Sequence, residues 1–110
     1  MDKLPLSVLI IALHAGERIA RSIESVRGFA NEVIVIDSGS KDDTVKASET
    51  AGARVVHHDW PGYGMQKRFG EDQCRNDWLL NIDADEVVSI KLAEEIRAVF
   101  AKGAPKQAGF

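Results

Sequence analysis

Asn76-Asp77-Trp78-Leu79-Leu80-Asn81-Ile82-Asp83-Ala84-Asp85-Glu86 is the stretch whose reading decides the fold. Trp78, Leu79, Leu80 and Ile82 form an apolar run that is too short for a globular helix and is bounded by polar residues, the pattern of a buried strand. Asp83, Asp85 and Glu86 then stand where the strand stops. Two readings fit this cluster: a solvated acidic turn, or hard oxygen ligands for a divalent cation. The stretch alone does not choose between them.

Working outward, two further strands share its character. Leu6-Ser7-Val8-Leu9-Ile10-Ile11-Ala12-Leu13 is continuously apolar and rich in branched residues, as a strand buried on both faces of a parallel sheet requires. Glu32-Val33-Ile34-Val35-Ile36-Asp37 repeats the pattern and also ends in a carboxylate. Ala53 to His57 reads as a shorter third strand. Between these runs the period changes. Ile19, Ile23 and Val26 recur at helical spacing and predict an amphipathic helix ending near Gly28. Ser38-Gly39-Ser40-Lys41-Asp42-Asp43-Thr44 is a turn, and Ser40 is expected to cap a helix with Asp42 and Asp43 in its first turn. Val45, Ala47 and Ala51 are expected to face the sheet, with Gly52 closing that helix. His58 to Gly64 reads as a loop. Met65 to about Arg75 reads as a helix with Phe69 inward, weakened by Gly70. Ser89 is expected to cap a last helix whose buried stripe is Leu92, Ile96 and Val99 or Phe100.

Strands alternating with helices imply a parallel α/β sheet covered on both faces. Ligands of such sheets bind beyond the carboxyl ends of the strands, where the strand order reverses. Asp37, Asp83, Asp85 and the segment Ala12 to Gly16 all fall at predicted carboxyl ends, so this sheet edge is the candidate site. A carboxylate-held cation would pair naturally with a diphosphate. The chain carries neither a Walker A motif nor a Gly-x-Gly-x-x-Gly turn after its first strand, which argues against ATPase and dinucleotide-dehydrogenase chemistry. Asp37 has two readings of its own, a helix-capping acid or an acceptor for a base or ribose.

With 110 residues, 45% of them hydrophobic and 28% charged, the chain suits one small domain. Its net charge of −3 gives no footprint for nucleic acid. The single cysteine, Cys74, makes no internal disulfide, in keeping with a reducing compartment. The first residues lack a secretory layout, and no apolar run approaches the length of a spanning helix. Residues 102–110 read as a tail or linker after a domain spanning 1–101. His57 and His58, adjacent on a strand, point to opposite faces and are read as structural or surface residues. Trp60 and Tyr63 are read as loop anchors more than as a stacking platform.

Ser7 to Leu13, Val35-Ile36-Asp37-Ser38-Gly39-Ser40-Lys41-Asp42-Asp43-Thr44 and Asn81-Ile82-Asp83-Ala84-Asp85-Glu86, in this order and spacing, resemble the amino-terminal half of a family-2 inverting glycosyltransferase of GT-A (Rossmann-like) fold. Ala51-Gly52-Ala53-Arg54-Val55 and Asp59-Trp60-Pro61-Gly62-Tyr63-Gly64-Met65-Gln66-Lys67 are similar to the branch that contains bacterial lipopolysaccharide-core glucosyltransferases. The resemblance runs from about Leu6 to Ile96. It implies a nucleoside-diphosphate sugar donor, most often a UDP-sugar, with Asp37 at the nucleobase. It implies Mg²⁺ or Mn²⁺ on Asp85, with Asp83 beside the metal and near the ribose or sugar. Lys67 matches a basic residue near the donor, and Ala12, Leu13 and Glu17 match the loop lining the base pocket. The implied partners are a glycolipid or oligosaccharide acceptor and, for the whole assembly, either a second copy or a carboxyl-terminal half. The implied setting is cytoplasmic, peripheral at the inner face of the membrane, in lipopolysaccharide or cell-envelope polysaccharide synthesis. Two departures stand out. Ala12-Leu13-His14-Ala15 replaces a common Thr-x-Asn-Glu, and Arg68 replaces a common asparagine. The family's general base and acceptor site lie in its other half, so no catalytic base is assigned here. The alternative reading is a truncated, non-catalytic nucleotide-binding or assembly module.

Overall fold

The computed structural model describes residues 3–16 and 18–101. Eight elements alternate: β1 (Leu4–Ala12), α1 (Arg18–Arg27), β2 (Ala30–Asp37), α2 (Thr44–Thr50), β3 (Arg54–His57), α3 (Tyr63–Gln73), β4 (Trp78–Asp83) and α4 (Ile90–Ala101). The four strands form one parallel sheet in the order β3-β2-β1-β4. The expected α/β parallel architecture is therefore present. β1 is central, and residues Leu6 to Ile10 are buried without a break, which accounts for the continuous apolar run.

The two sheet faces carry separate cores. Val8, Ile10 and Ala12 of β1 pack with Ile19, Ile23 and Val26 of α1 and with Ile96 of α4. Leu9, Ile34 and Ile36 face the other way, against Phe69 of α3. Side chains alternate along a strand, so each face takes every second residue. α3 comes unusually close to this second face. A Cβ placed on Gly70 would lie 2.5 Å from Leu9 Cδ1 and 3.1 Å from Ile36 Cγ1. Gly70, which weakens the helix by propensity, is what lets α3 seat on the sheet.

Several local expectations need correction. Ser40 does not cap α2. Asp43 stands at the N-cap without a side-chain bond, and Asp42 Oδ1 instead accepts the Thr44 N–H at 3.0 Å. Ser40 is diverted because its Oγ accepts the His14 N–H at 2.9 Å. α2 does turn the expected Ala47 and Ala51 to the core, Ala51 buried and Ala47 half-buried against it, but its fully buried residues are Thr44 and Ser48, and Val45 is only half-buried. α3 begins at Tyr63, two residues ahead of the expected Met65. Ser89 does cap α4, its Oγ accepting the Leu92 N–H at 3.0 Å. Of the expected α4 stripe, Ile96 is buried and Phe100 is half-buried against the core, edge-on to Trp78. Leu92 and Val99 are exposed, as are Val87 and Ile90 beside them. The cause is topological: β4 is an edge strand, so among the described residues no further strand extends the sheet on that side. The expected tail, 102–110, lies outside the described residues. Among the described residues no helix is long and apolar enough to cross a membrane.

Candidate functional site: the cleft at the strand-order switch

The chain steps outward from β1 to β2 to β3, then returns to place β4 on the other side of β1. The order reverses between β1 and β4, the place where open α/β sheets bind ligands. A cavity of about 400 Å³ opens there. It is lined by Ile11, Ala12 and Leu13 from the end of β1, Ser38 after β2, Trp60 and Tyr63, and Asn81, Ile82 and Asp83 from β4. Its size falls in the range of about 300–1,000 Å³ typical of small-molecule sites. The lining is mainly apolar with a few polar groups, as such sites require.

Ladder register sets the order of the site. His57 pairs with Asp37, Asp37 with Ala12, and Ile11 with Asp83. Asp37 and Asp83 therefore lie two strand spacings apart, about 10 Å at roughly 4.8 Å per spacing.

Asp37 is 2% exposed. Its Oδ2 accepts the backbone N–H groups of Gly39 at 3.1 Å and Ser40 at 3.0 Å. Its Oδ1 is buried and has no hydrogen-bond partner among the described residues. An unpaired buried carboxylate oxygen is costly, so the place calls for a donor from outside. Asp37 is therefore not a helix cap: Gly39 and Ser40 precede α2, whose N-cap is Asp43, and Oδ2 closes the turn after β2 while Oδ1 is left for another donor. His57 Nδ1 stands 3.8 Å from Oδ2, while its Nε2 is 2.9 Å from Asp59 Oδ1.

At β4 the turn Asp83–Glu86 is built by its own residues. The Glu86 N–H donates to the Asp83 carbonyl at 3.0 Å, and Glu86 Oε1 accepts the Asp83 N–H at 3.0 Å. Glu86, undecided from sequence, thus spends one carboxylate oxygen on the backbone of Asp83. Two serines of α1 pin the turn from beneath. Ser22 Oγ donates to the Ala84 carbonyl at 2.9 Å, and Ser25 Oγ accepts the Val88 N–H at 3.0 Å. Asp83 and Asp85 remain exposed. Asp83 lines the cavity, and Asp85, two residues further along the turn, is not among its lining residues. No group of three or more His, Cys, Asp or Glu side chains among the described residues makes a complete cation cage. The donor set is nonetheless hard carboxylate oxygen, so these acids fit a Mg²⁺- or Mn²⁺-type ion whose coordination a ligand's own oxygens would complete.

The other sequence-derived positions divide. Ala12 and Leu13 line the cavity, Leu13 with 54% of its surface exposed. Lys67 is half-buried on α3, one turn beyond Tyr63, and does not line the cavity. Glu17 lies outside the described residues. Trp60 and Tyr63, read as loop anchors, are instead 53% and 57% exposed and form a wall of the cavity. His14 explains one departure from the family pattern. Its φ of 51° lies in the left-handed region, which asparagine and histidine enter more readily than most residues. Its Nδ1 accepts the Lys41 N–H at 3.2 Å, so the ring braces the turn after β2. Burial pushes the Cys74 thiol up to about 11, with help from nearby Glu32, which leaves it a poor nucleophile.

Sequence reasoning passed over Gln66. It is wholly buried, and it bonds to Ser38 Oγ and to the His58 backbone and ring. A glutamine in an otherwise polar helical stretch gives no signal of burial.

Comparison with known proteins places these features. The model of the family "Glycosyl transferase family 2" matches residues 7–107. An uncharacterized glycosyltransferase of Rickettsia felis is 51% identical over 101 residues, which cover 92% of this chain and 35% of that protein. The lipopolysaccharide core biosynthesis glycosyltransferase LpsC of Rhizobium meliloti is 39% identical over 106 residues, covering 92% of this chain and 39% of that protein. The chain thus spans little more than a third of the length of these curated relatives. Among solved structures, glucosyl-3-phosphoglycerate synthase from Mycobacterium tuberculosis in complex with Mn²⁺, uridine-diphosphate and glucosyl-3-phosphoglycerate aligns at a TM-score of 0.64. It is 33% identical over 72% of this chain and 33% of that one.

Proposed function

The chain belongs to glycosyl transferase family 2, and on that premise we propose that it forms the donor-binding region of an inverting glycosyltransferase. The observation that carries the reading is the cleft at the strand-order switch, lined by Ser38 and Asp83, with the unpaired Asp37 Oδ1 on the residue before Ser38 and Asp85 in the turn after β4. The donor is a nucleoside-diphosphate sugar, and UDP is favoured by the UDP complex of the mycobacterial synthase. Asp37 Oδ1 accepts a ring N–H of the base, and Ala12 and Leu13 border it. Asp85, assisted by Asp83, would hold a divalent cation, which would supply positive charge to neutralise the leaving diphosphate. The acceptor hydroxyl oxygen attacks the anomeric carbon, the bond from that carbon to the diphosphate oxygen breaks, and the configuration inverts. Lys67, which does not line the cavity, is assigned near the donor by its match to the family pattern. The residues assigned here bind and orient the donor, and none of them is assigned as the base that takes the acceptor proton. The likeness to LpsC, a lipopolysaccharide core biosynthesis glycosyltransferase, supports a role in lipopolysaccharide synthesis; a glycolipid or oligosaccharide acceptor, a wider envelope-polysaccharide role and a setting at the cytoplasmic side of the membrane are further parts of the proposal. Residues 1–101 form this donor-binding unit.

Titration of the chain with UDP, with and without Mn²⁺, tests the reading. Saturable binding strengthened by Mn²⁺ is expected, and no binding under either condition would end it. Trp60 and Tyr63 offer an exposed aromatic wall for the base or sugar. Trp60→Ala is expected to weaken UDP binding roughly 5- to 150-fold, from a stacking contribution of about 1–3 kcal/mol per base. Unchanged affinity would return Trp60 to the role of loop residue.

The open edge of β4 favours a second reading, an assembly module that completes its sheet with another chain. A groove of about 280 Å³ runs beside that edge, lined in part by Leu80, Ile82, Val87 and Leu92. Exposed edges with apolar flanks recruit partners. Sedimentation of the chain alone is expected to show concentration-dependent self-association, whereas a monomer at all concentrations would count against this module.

A further inference from the structure

Gln66 is among the largest side chains with no solvent exposure (0%), and its amide orientation follows from its neighbours. Nε2 lies 2.7 Å from the His58 carbonyl oxygen, which only accepts, so the nitrogen must face it. The second hydrogen of Nε2 goes to Ser38 Oγ at 3.1 Å. Oε1 is then left 2.6 Å from His58 Nδ1, which therefore carries a hydrogen. The His58 N–H reaches the Asp37 carbonyl at 2.9 Å, and its ring stacks on Phe69 with centroids 3.8 Å apart. The glutamine thus ties α3 and the loop after β3 to the end of β2.

The consequence falls on Ser38, which lines the cavity. A hydroxyl has one hydrogen and two lone pairs. Gln66 Nε2 occupies a lone pair, and the hydroxyl hydrogen has no acceptor among the described residues. We propose that Gln66 is a positioning residue for the nucleotide. By donating to Ser38 Oγ it turns the Ser38 O–H outward as a donor to an acceptor oxygen of the nucleoside. With the unpaired acceptor Oδ1 on Asp37, the preceding residue, it would make a donor–acceptor pair. Such a pair complements the adjacent N–H and C=O of an imide-type base. The proposal rests on the nucleotide reading above.

The test is a double-mutant cycle on Gln66→Met and Ser38→Ala, read by calorimetry with two probes, UDP and inorganic pyrophosphate, each with Mn²⁺. Gln66→Met is expected to weaken UDP roughly 3- to 10-fold, the range of one net hydrogen bond. It should leave pyrophosphate unchanged. In the Ser38→Ala background the same substitution should change UDP affinity less than about twofold, because the hydroxyl through which it acts is gone. An equal loss in both backgrounds, or an equal loss for pyrophosphate, overturns the proposal, since Gln66 would then act through the fold. Gln66→Glu gives a second check, because a carboxylate would accept the Ser38 hydrogen and withdraw it from the cavity. UDP affinity as in the wild type for this variant also overturns the proposal. If the wild-type chain binds no UDP, the nucleotide reading falls first and the role of Gln66 falls with it.

Discussion

Gly70→Ala is expected to destabilise the chain by about 1–3 kcal/mol, the usual cost of overpacking a close-packed core. The sign is the informative part. In an exposed helix interior the same change stabilises by roughly 1 kcal/mol. Here the new methyl would sit 2.5 Å from Leu9 Cδ1 and 3.0 Å from its Cδ2. Leu9 is itself only 1% exposed, so it has nowhere to swing. Urea unfolding monitored by circular dichroism reads the effect. Gly64→Ala in the same helix is the control, because a Cβ there meets nothing within 4 Å, and it should be neutral or slightly stabilising. Leu9→Ala alone is expected to cost about 2–5 kcal/mol. It should cost less in the Gly70→Ala background, where the two changes share one volume. A stabilised Gly70→Ala variant would mean that α3 does not seat against β1 and β2 as described.

Asp85→Asn should lower UDP affinity in Mn²⁺ by at least about tenfold, or ~1.4 kcal/mol, and leave affinity in a chelator unchanged. The substitution keeps shape and removes the charge and the harder oxygen ligand that a divalent cation selects. Asp83→Asn is expected to act in the same direction. Glu86→Gln should change little, because Glu86 Oε1 is engaged with the Asp83 N–H and an amide oxygen accepts the same bond. Calorimetry in paired Mn²⁺ and chelator buffers separates the outcomes. If Mn²⁺ still strengthens UDP binding to Asp85→Asn as much as to the wild type, Asp85 is not the ligand.

The fold was legible where burial is symmetrical. β1 and β2 announce themselves because strands covered on both faces need unbroken apolar runs, and α1 because one face alone is buried; β4, an edge strand with only Leu80 and Ile82 buried, was read from a short apolar cluster between polar flanks. Elements at the periphery were less readable. In α4 the pattern of Leu92, Ile96 and Val99 or Phe100 predicts a covered stripe, yet at an open sheet edge only Ile96 is buried, with Phe100 half-buried edge-on to Trp78 and Leu92 and Val99 exposed. Helical periodicity shows which residues prefer burial, not whether a neighbour exists. At the turn after β2, several polar side chains compete for a few backbone groups. Asp37 takes the N–H of Ser40, and Ser40 takes that of His14, an outcome that local propensity does not determine. The strand-end acids of the site were visible as residue types at the ends of apolar runs. Gln66, and the outward placement of Trp60 and Tyr63, depend on how α3 sits. That placement turns on one glycine whose sequence signal reads as weakness.

The strand order has a consequence for how the molecule comes into being. β1 meets β2 early along the chain, but its other edge waits for β4, through pairs as distant as Leu6 and Trp78. Long-range pairing bears the largest loop-closure entropy and forms late. The cleft is bounded by β1 and β4 together, so the half-sheet of β1, β2 and β3 can be native-like while the cleft does not yet exist. Amide hydrogen exchange should therefore show the β4 amides opening before those of β2, and a ligand in the cleft should slow that opening most. The donor would then act as a clasp on the last-joined strand, coupling the chain's maturation to the nucleotide it carries.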